Sequence, residues 1–182
     1  MNEKESKIYS IFFLFSCHNK ETKKVEDLKP FFNFDQVYHY KLNPSNKDFP
    51  DLYFKNRISA RGRLILDGDL SDSLLFKDLD QLALKPVLID PVFYNEINTK
   101  IFVQYPCKDP ADEAIQPIYT DILVFKKTNM ISAIAKVSFA TGSFISKGQT
   151  CNTDCFNHTQ FNELELLRKL LEKNYSNTDS IF

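Results

Sequence analysis

Three cysteines and one histidine in the second half of the chain have the side chains with the most specific chemistry. They are Cys107, Cys151, Cys155 and His158. Thiolate and imidazole groups are the usual ligands of structural zinc, and this set has the composition of a Cys3His site. The spacing of the last three residues differs from that of a common zinc knuckle. The pattern therefore makes zinc one alternative among several.

A disulfide between two of these cysteines is the interpretation we favour if the chain is exported, because oxidising compartments favour cystine. A Cys151–Cys155 bridge would close a tight loop. A bridge from Cys107 to either of them would close a longer loop and restrict the unfolded chain more. The choice of pair stays open, as does the alternative in which all three remain free thiols.

Four oxygen-bearing side chains have the spacing of the first, third, fifth and twelfth positions of an EF-hand-like calcium loop: Asp67, Asp69, Ser71 and Asp78. The sixth position of such a loop needs glycine, and here it is Asp72. We therefore favour a loop between two helices, in which Gly68 ends one helix and an Asp or Ser caps the next.

The sequence contains no recognisable catalytic motif. A Gly-x-Ser-x-Gly elbow, a Walker loop and a His-Glu-x-x-His motif are all missing from the chain. His39 lies among tyrosines in a predicted strand, where we expect it to face solvent. Catalytic triads are recognised by geometry, so an enzyme stays an alternative, but no residue is named as nucleophile and no cofactor is predicted.

An apolar stretch from Ile8 to Cys17 follows a short charged start. As a helix of about ten residues it would rise about 15 Å, half of the hydrocarbon layer, so it would not span a membrane alone. Its length is typical of the apolar region of an export signal. The tetrad Leu14-Phe15-Ser16-Cys17 resembles the lipobox of bacterial lipoproteins.

This resemblance covers residues 1–17 and implies a lipidated N terminus. In that family the signal is cleaved before the cysteine, so Leu14 and Ser16 would be cleavage-site residues. Cys17 would carry a diacyl group on its thiol and usually a further acyl chain, such as palmitate, on its new amino group. The implied partner is a membrane, and the implied location is the cell envelope, facing the periplasm or the cell surface. Otherwise the stretch would be a buried strand with Cys17 as a core thiol.

The domain organisation follows from the composition of the remaining chain. We predict a signal peptide at 1–16, a lipidated cysteine and flexible tether at 17–30, one globular domain at 31–173, and a frayed tail at 174–182. The tether is predicted because residues 18–29 are strongly polar. The body is long enough to bury the core of one domain.

Hydrophobic periodicity predicts an α+β domain, in which about four helices pack on a small, mostly antiparallel sheet. Strands are expected near residues 32–42, 118–126, 130–139 and 144–147. Helices are expected near residues 51–66, 71–84, 90–101 and 159–173. In the first strand we expect one face to carry Phe32, Phe34, Tyr38, Tyr40 and Leu42. The small Ala133 and Ala135 predict a helix packed closely on their face of the sheet.

The formal net charge of −1 gives no electrostatic basis for binding nucleic acid. The sequence thus predicts a lipid-anchored cell-envelope protein whose domain binds or scaffolds an envelope protein or a ligand without catalysing a reaction. The alternatives are a cytosolic protein with a Cys/His zinc site and an envelope hydrolase without a recognisable motif.

Overall fold

The computed structural model describes residue 30 and residues 32–43, 59–103, 117–148 and 161–179. Five strands occur there: β1 Gln36–Lys41, β2 Val87–Leu88, β3 Asp121–Lys127, β4 Met130–Ser138 and β5 Ser143–Gly148. They form one antiparallel sheet of order β2-β1-β3-β4-β5. The helices are α1 Ala60–Leu66, α2 Asp72–Gln81, a composite α3 and α4 Phe161–Asp179. The predicted α+β fold is confirmed.

Helix α3 combines a 3₁₀ turn at Pro91–Phe93, an α turn at Tyr94–Glu96 and a π turn at Ile97–Ile101. It begins where the sequence predicts, because the Asp90 side chain accepts a hydrogen bond from the Val92 amide at 3.0 Å and proline takes the first helical position. No helix within the described ranges is long and apolar enough to cross a membrane.

The central strand β3 is buried on both faces. Ile122 and Val124 face a core shared with α1 and α2, whereas Leu123 and Phe125 face a core shared with α3 and α4. Successive strand residues point to opposite faces, so this continuous apolar run gives the molecule three layers, with the sheet in the middle.

The alanines of β4 lie on the α4 side of the sheet. Ala133 and Ala135 belong to the same buried cluster as four leucines of α4, namely Leu164, Leu167, Leu170 and Leu171. Small side chains on the sheet leave room for the branched leucines of the helix. This placement agrees with the helix that the two alanines predict.

The face assignment of the first strand was wrong. Regular pairing begins only at Gln36, and Phe32 and Phe34 precede it and enter the α4-side core. Tyr38 and Tyr40 pack instead with Leu42 on the α1/α2 side. A change of direction before Gln36 therefore separates residues that simple alternation places together.

Two further boundaries differ from the prediction. Strand β2 contains only two residues and pairs with β1 through Val87 and Leu88, which is too short to show any periodicity. Helix α4 continues to Asp179, past its expected end at residue 173. Residues 174–179 are therefore helical, and the predicted frayed tail does not describe them.

A charged side chain lies inside the α1/α2 layer. Lys136 is 1% exposed, and its Nζ donates hydrogen bonds to the carbonyl oxygens of Arg63 at 3.1 Å and Asp67 at 2.8 Å. These carbonyls belong to the C-terminal end of α1, where the helix dipole attracts a cation. Burial lowers the pKa of the Lys136 ammonium from 10.5 to about 8, even though nearby carboxylates act in the opposite direction.

The lowered pKa makes the contribution of Lys136 to stability depend on pH. Below pH 8 both folded and unfolded chains carry the charge, and the folded state bears the full desolvation penalty. Between about pH 8 and 10.5 the unfolded chain binds the proton more strongly, so the folded state gains stability as pH rises. Relative to Lys136→Met, wild type should gain about 2–3 kcal/mol in the free energy of unfolding from pH 7 to pH 10.

Urea denaturation of both proteins at several pH values measures this difference, and the titration of tyrosines cancels in the comparison. Lys169→Met removes an exposed lysine of α4 and serves as the control. A difference between wild type and Lys136→Met that stays constant over this pH range would contradict the inferred pKa.

Candidate functional site

The residues predicted for lipidation, disulfide formation and zinc binding lie outside the described ranges: Leu14, Ser16, Cys17, Cys107, Cys151, Cys155 and His158. Those three hypotheses stay predictions. Within the described ranges, no group of three or more His, Cys, Asp or Glu side chains is placed to hold a metal ion.

In the loop whose spacing resembles a calcium motif, the carboxylate oxygens accept hydrogen bonds from nearby residues of the same loop. The Asp67 and Asp69 carboxylates accept hydrogen bonds from the backbone amides of Asp69 at 3.0 Å and Ser71 at 2.8 Å. Such contacts are typical of Asx turns. Asp78 is buried and accepts a hydrogen bond from Arg63 Nε at 2.8 Å. The segment connects α1 and α2 as favoured, and Ser71 is at the N-cap position of α2, but the Ser71 side chain makes no capping hydrogen bond. The C-cap residue of α1 is Asp67 and not Gly68.

A cleft of about 580 Å³ lies between α4 and one end of the sheet. Its strand side comes from the end of β1 and the start of β3, and its other side comes from α4. The polar floor contains His39, Asp121 and Tyr175, whereas Leu42, Phe139 and Leu171 supply apolar wall. The cleft thus combines apolar surface with a few converging polar groups, as small-molecule sites do.

A chain of hydrogen bonds crosses the floor of this cleft. Asp121 Oδ1 is 2.8 Å from His39 Nε2, and Asp121 Oδ2 accepts a hydrogen bond from the Thr120 hydroxyl at 2.6 Å. His39 Nδ1 is 2.9 Å from the hydroxyl oxygen of Tyr175. A carboxylate oxygen only accepts, so the contact with Asp121 places a proton on His39 Nε2; with the imidazole in its neutral form, Nδ1 accepts from the Tyr175 hydroxyl.

The register of the sheet explains why these residues meet. Lys41 is the direct partner of Asp121 and His39 is the partner of Leu123, so His39 and Asp121 are diagonal neighbours on one face. Val37 lies on that same face, in the α4-side core. The expectation that His39 faces solvent is wrong, because its side chain is 1% exposed.

Helix α4 completes the site from the opposite side. Arg168, Leu171, Glu172 and Tyr175 recur at intervals of three or four residues, which places them on one face of the helix. Asn174 fixes the end of this helix, because its side chain accepts from the Asp90 amide at 2.8 Å and donates to the Leu88 carbonyl at 3.2 Å. Contacts to β1, β2 and α3 therefore hold Tyr175 in position.

The protonation of Tyr175 limits the chemistry of the site. Burial, and to a smaller extent the charge of Asp121, raise the pKa of the Tyr175 hydroxyl above its ordinary value. A phenol with a raised pKa stays neutral near pH 7 and is a poor nucleophile. The chain from Thr120 to Tyr175 therefore supports a preorganised binding surface better than it supports nucleophilic catalysis.

Two signals in the sequence could have identified the floor. Asp121 is the charged residue within the apolar run at 118–125, and His39 is two positions from Val37, on the same strand face. A polar group on an otherwise buried face needs a partner. Tyr175 carries no comparable signal, because it lies past the predicted end of the last helix, in the segment predicted as a frayed tail.

A double-mutant cycle should show that the floor residues act as one unit. Asp121→Asn leaves either His39 or Thr120 without its acceptor, and Tyr175→Phe leaves His39 Nδ1 without its donor, so each should cost about 1–3 kcal/mol. Since both act on His39, we expect a coupling energy of at least about 0.5 kcal/mol in urea denaturation. Tyr94→Phe, which removes the hydroxyl that accepts from the Val37 amide, should be additive with Asp121→Asn. Strict additivity of the first pair would contradict the network.

Comparisons with known proteins add no assignment to this geometry. A scan against protein-family models finds no match for the chain, and searches of curated proteins and of solved structures find no similar protein. The functional interpretation therefore depends on the cleft and on the chemistry that the sequence predicts for the N terminus.

Proposed function

We propose that this protein is a lipid-anchored cell-envelope protein whose α+β domain binds a small organic molecule in the cleft between α4 and the sheet. The observation that carries the binding function is the cleft itself, with the hydrogen-bonded His39, Asp121 and Tyr175 at its floor. The envelope location rests on the N-terminal sequence.

The anchoring proposal is supported by the lipobox-like residues 14–17 and by the polar run that follows them. A single acyl chain gives only marginal membrane binding, whereas the two or more chains of a mature lipoprotein hold durably. A polar tether would then separate the membrane surface from the folded domain. Cys17 is the residue with the defined chemical role in this proposal, as the acceptor of the acyl chains.

The binding proposal is supported by the size and chemistry of the cleft. Pockets for small organic ligands have volumes of about 300–1,000 Å³, and the volume of about 580 Å³ lies within this range. Polar groups on a rigid floor fix the orientation of a ligand at low entropic cost. The hydrogen-bond partners of His39 and Asp121 come from the sheet and α4, so the protein itself fixes the geometry of these two side chains.

Cys17→Ser should abolish lipidation while the domain remains folded. In the native host, intact mass and membrane fractionation should show wild type without residues 1–16, carrying acyl mass and bound to the membrane. The variant should carry no acyl mass and should lose stable membrane attachment. Ser16→Ala keeps a small residue before the cysteine and should behave as wild type. A wild-type protein that retains Met1 and stays in the soluble fraction would falsify the anchoring proposal.

Binding in the cleft can be tested by filling it. The chain contains no tryptophan, so Ser176→Trp places a single indole at the cleft. Lys169→Trp places one about two turns away on the same helix, at an exposed position that does not line the cleft. A library of small organic compounds screened by ligand-observed NMR should give ligands of wild type and of Lys169→Trp. Ser176→Trp should bind these ligands at least about tenfold more weakly, a loss of about 1.4 kcal/mol.

Circular dichroism checks that both tryptophan variants remain folded. Ligands that bind Ser176→Trp as well as wild type would show that binding occurs elsewhere on the protein. A screen without any ligand would contradict the small-molecule function itself.

A further inference from the structure

We infer that the ligand of the cleft is an organic carboxylic acid, whose carboxylate is held by Lys41 and whose apolar body lies against Leu171 and Phe139. This inference rests on the proposed binding function and specifies its ligand class. The residues that carry it come from β1, from the end of β4 and from α4.

Lys41 provides a positive charge at the floor end of the cleft. It is the last residue of β1 and the direct partner of Asp121, so its side chain projects on the same face as His39. Its Nζ lies 6.0 Å from the centroid of the Tyr175 ring. Within the described part of the chain, the Lys41 side chain takes part in no ion pair.

Among the described residues a second cation, Arg168, lines the cleft, and it already has a carboxylate partner. Arg168 donates a hydrogen bond to Glu165 at 2.8 Å, and this contact, together with the charges of Glu165 and then Glu172, raises the pKa of Arg168. Glu172 lies one helical turn from Arg168 and acts electrostatically on it. The guanidinium is thus balanced by acids of its own helix, whereas the ammonium of Lys41 is available to a ligand.

The carboxylate on the floor is also engaged. Asp121 accepts hydrogen bonds from Thr120 and His39, and it is 4% exposed. A carboxylate with two donors and little contact with water is a weaker partner for an exposed lysine than a ligand anion would be. Lys41 therefore supplies a donor and a positive charge to the cleft.

The apolar wall lies between Arg168 and the end of the cleft where Lys41 lies close to the Tyr175 ring. Arg168 and Tyr175 are seven residues apart on α4, which corresponds to about 10 Å along the helix axis. Leu171 lies between them, and Phe139 follows β4 on the sheet side. A ligand that extends from Lys41 along this wall would bury a short aliphatic chain or one aromatic ring.

The acidic residues of the cleft favour a carboxylate over a phosphate. A single lysine neutralises one negative charge, whereas a phosphate monoester carries close to two at pH 7. Asp121 and Glu172 both line the cleft and would repel the second charge. A singly charged acid with an apolar body satisfies Lys41 without that repulsion.

Isothermal titration of the full chain with three matched probes tests this inference: 4-phenylbutyrate, 4-phenylbutyramide and 3-phenylpropyl phosphate. The acid should bind about tenfold more tightly than the neutral amide and more tightly than the phosphate, because only the acid gains one charge-assisted contact without a second negative charge. Lys41→Gln should weaken binding of the acid about tenfold and leave the amide unchanged, and Lys41→Arg should retain most of the affinity for the acid.

A second lysine of the sheet supplies the matched control. Lys126 Nζ lies 4.6 Å from the centroid of the Tyr38 ring, and Tyr38 packs on the α1/α2 side of the sheet. Lys126→Gln therefore removes the same charge and a similar lysine–tyrosine contact on the opposite face. Its affinity for the acid should equal that of wild type.

The remaining outcomes separate this inference from the proposed function. Equal binding of acid and amide, or an unchanged affinity in Lys41→Gln, overturns the acid and leaves small-molecule binding intact. Tighter binding of the phosphate probe overturns the carboxylate in favour of a phosphate ester. If none of the three probes binds but library ligands are blocked by Ser176→Trp, the acid inference alone fails. If no compound of either set binds, both proposals fail.

Discussion

The buried carboxylate of Asp121 imposes the strongest constraint on the described part of this molecule. It lies at the start of the central strand β3, on the face covered by α4, where an unpaired charge would be costly. Thr120 and His39 satisfy its two oxygens, and Tyr175 satisfies the second nitrogen of His39. Two strands and the last helix are thereby joined by directional contacts, whereas the apolar cores alone would allow small shifts between them.

The architecture could be predicted where periodicity was strong. The two-sided apolar run at residues 118–125 defines a strand between two layers, and the leucines of α4 define an amphipathic helix. Boundaries were less accessible, because Phe32 and Phe34 leave the strand geometry before Gln36, and the two residues of β2 form a strand only through their contact with β1. Both features depend on neighbours that are distant in the sequence.

Most of the candidate site could not be predicted from the sequence, because its residues are also far apart along the chain. His39 and Asp121 are separated by 82 residues, and Tyr175 and His39 by 136. From the local sequence alone, His39 is interpreted as a polar strand residue, Asp121 as a residue near the start of a strand, and Tyr175 as part of the C-terminal tail. Only the register of β1 against β3 and the docking of α4 bring their side chains together. The lipobox-like tetrad at residues 14–17 could be recognised without a structure because its residues are adjacent, and the lipid anchor stays a prediction.

The large distance in sequence between His39 and Tyr175 also determines when the cleft can form during folding. During synthesis on the ribosome, β1 emerges long before α4. His39 Nδ1 therefore gains its partner, the Tyr175 hydroxyl, only after α4 has been made. Long-range contacts of this kind form late and slow the completion of folding. Late completion would be compatible with the proposed export, because a domain that folds early and stably would resist translocation. The position of one tyrosine near the C-terminal end thus links the geometry of the cleft to the timing of its assembly.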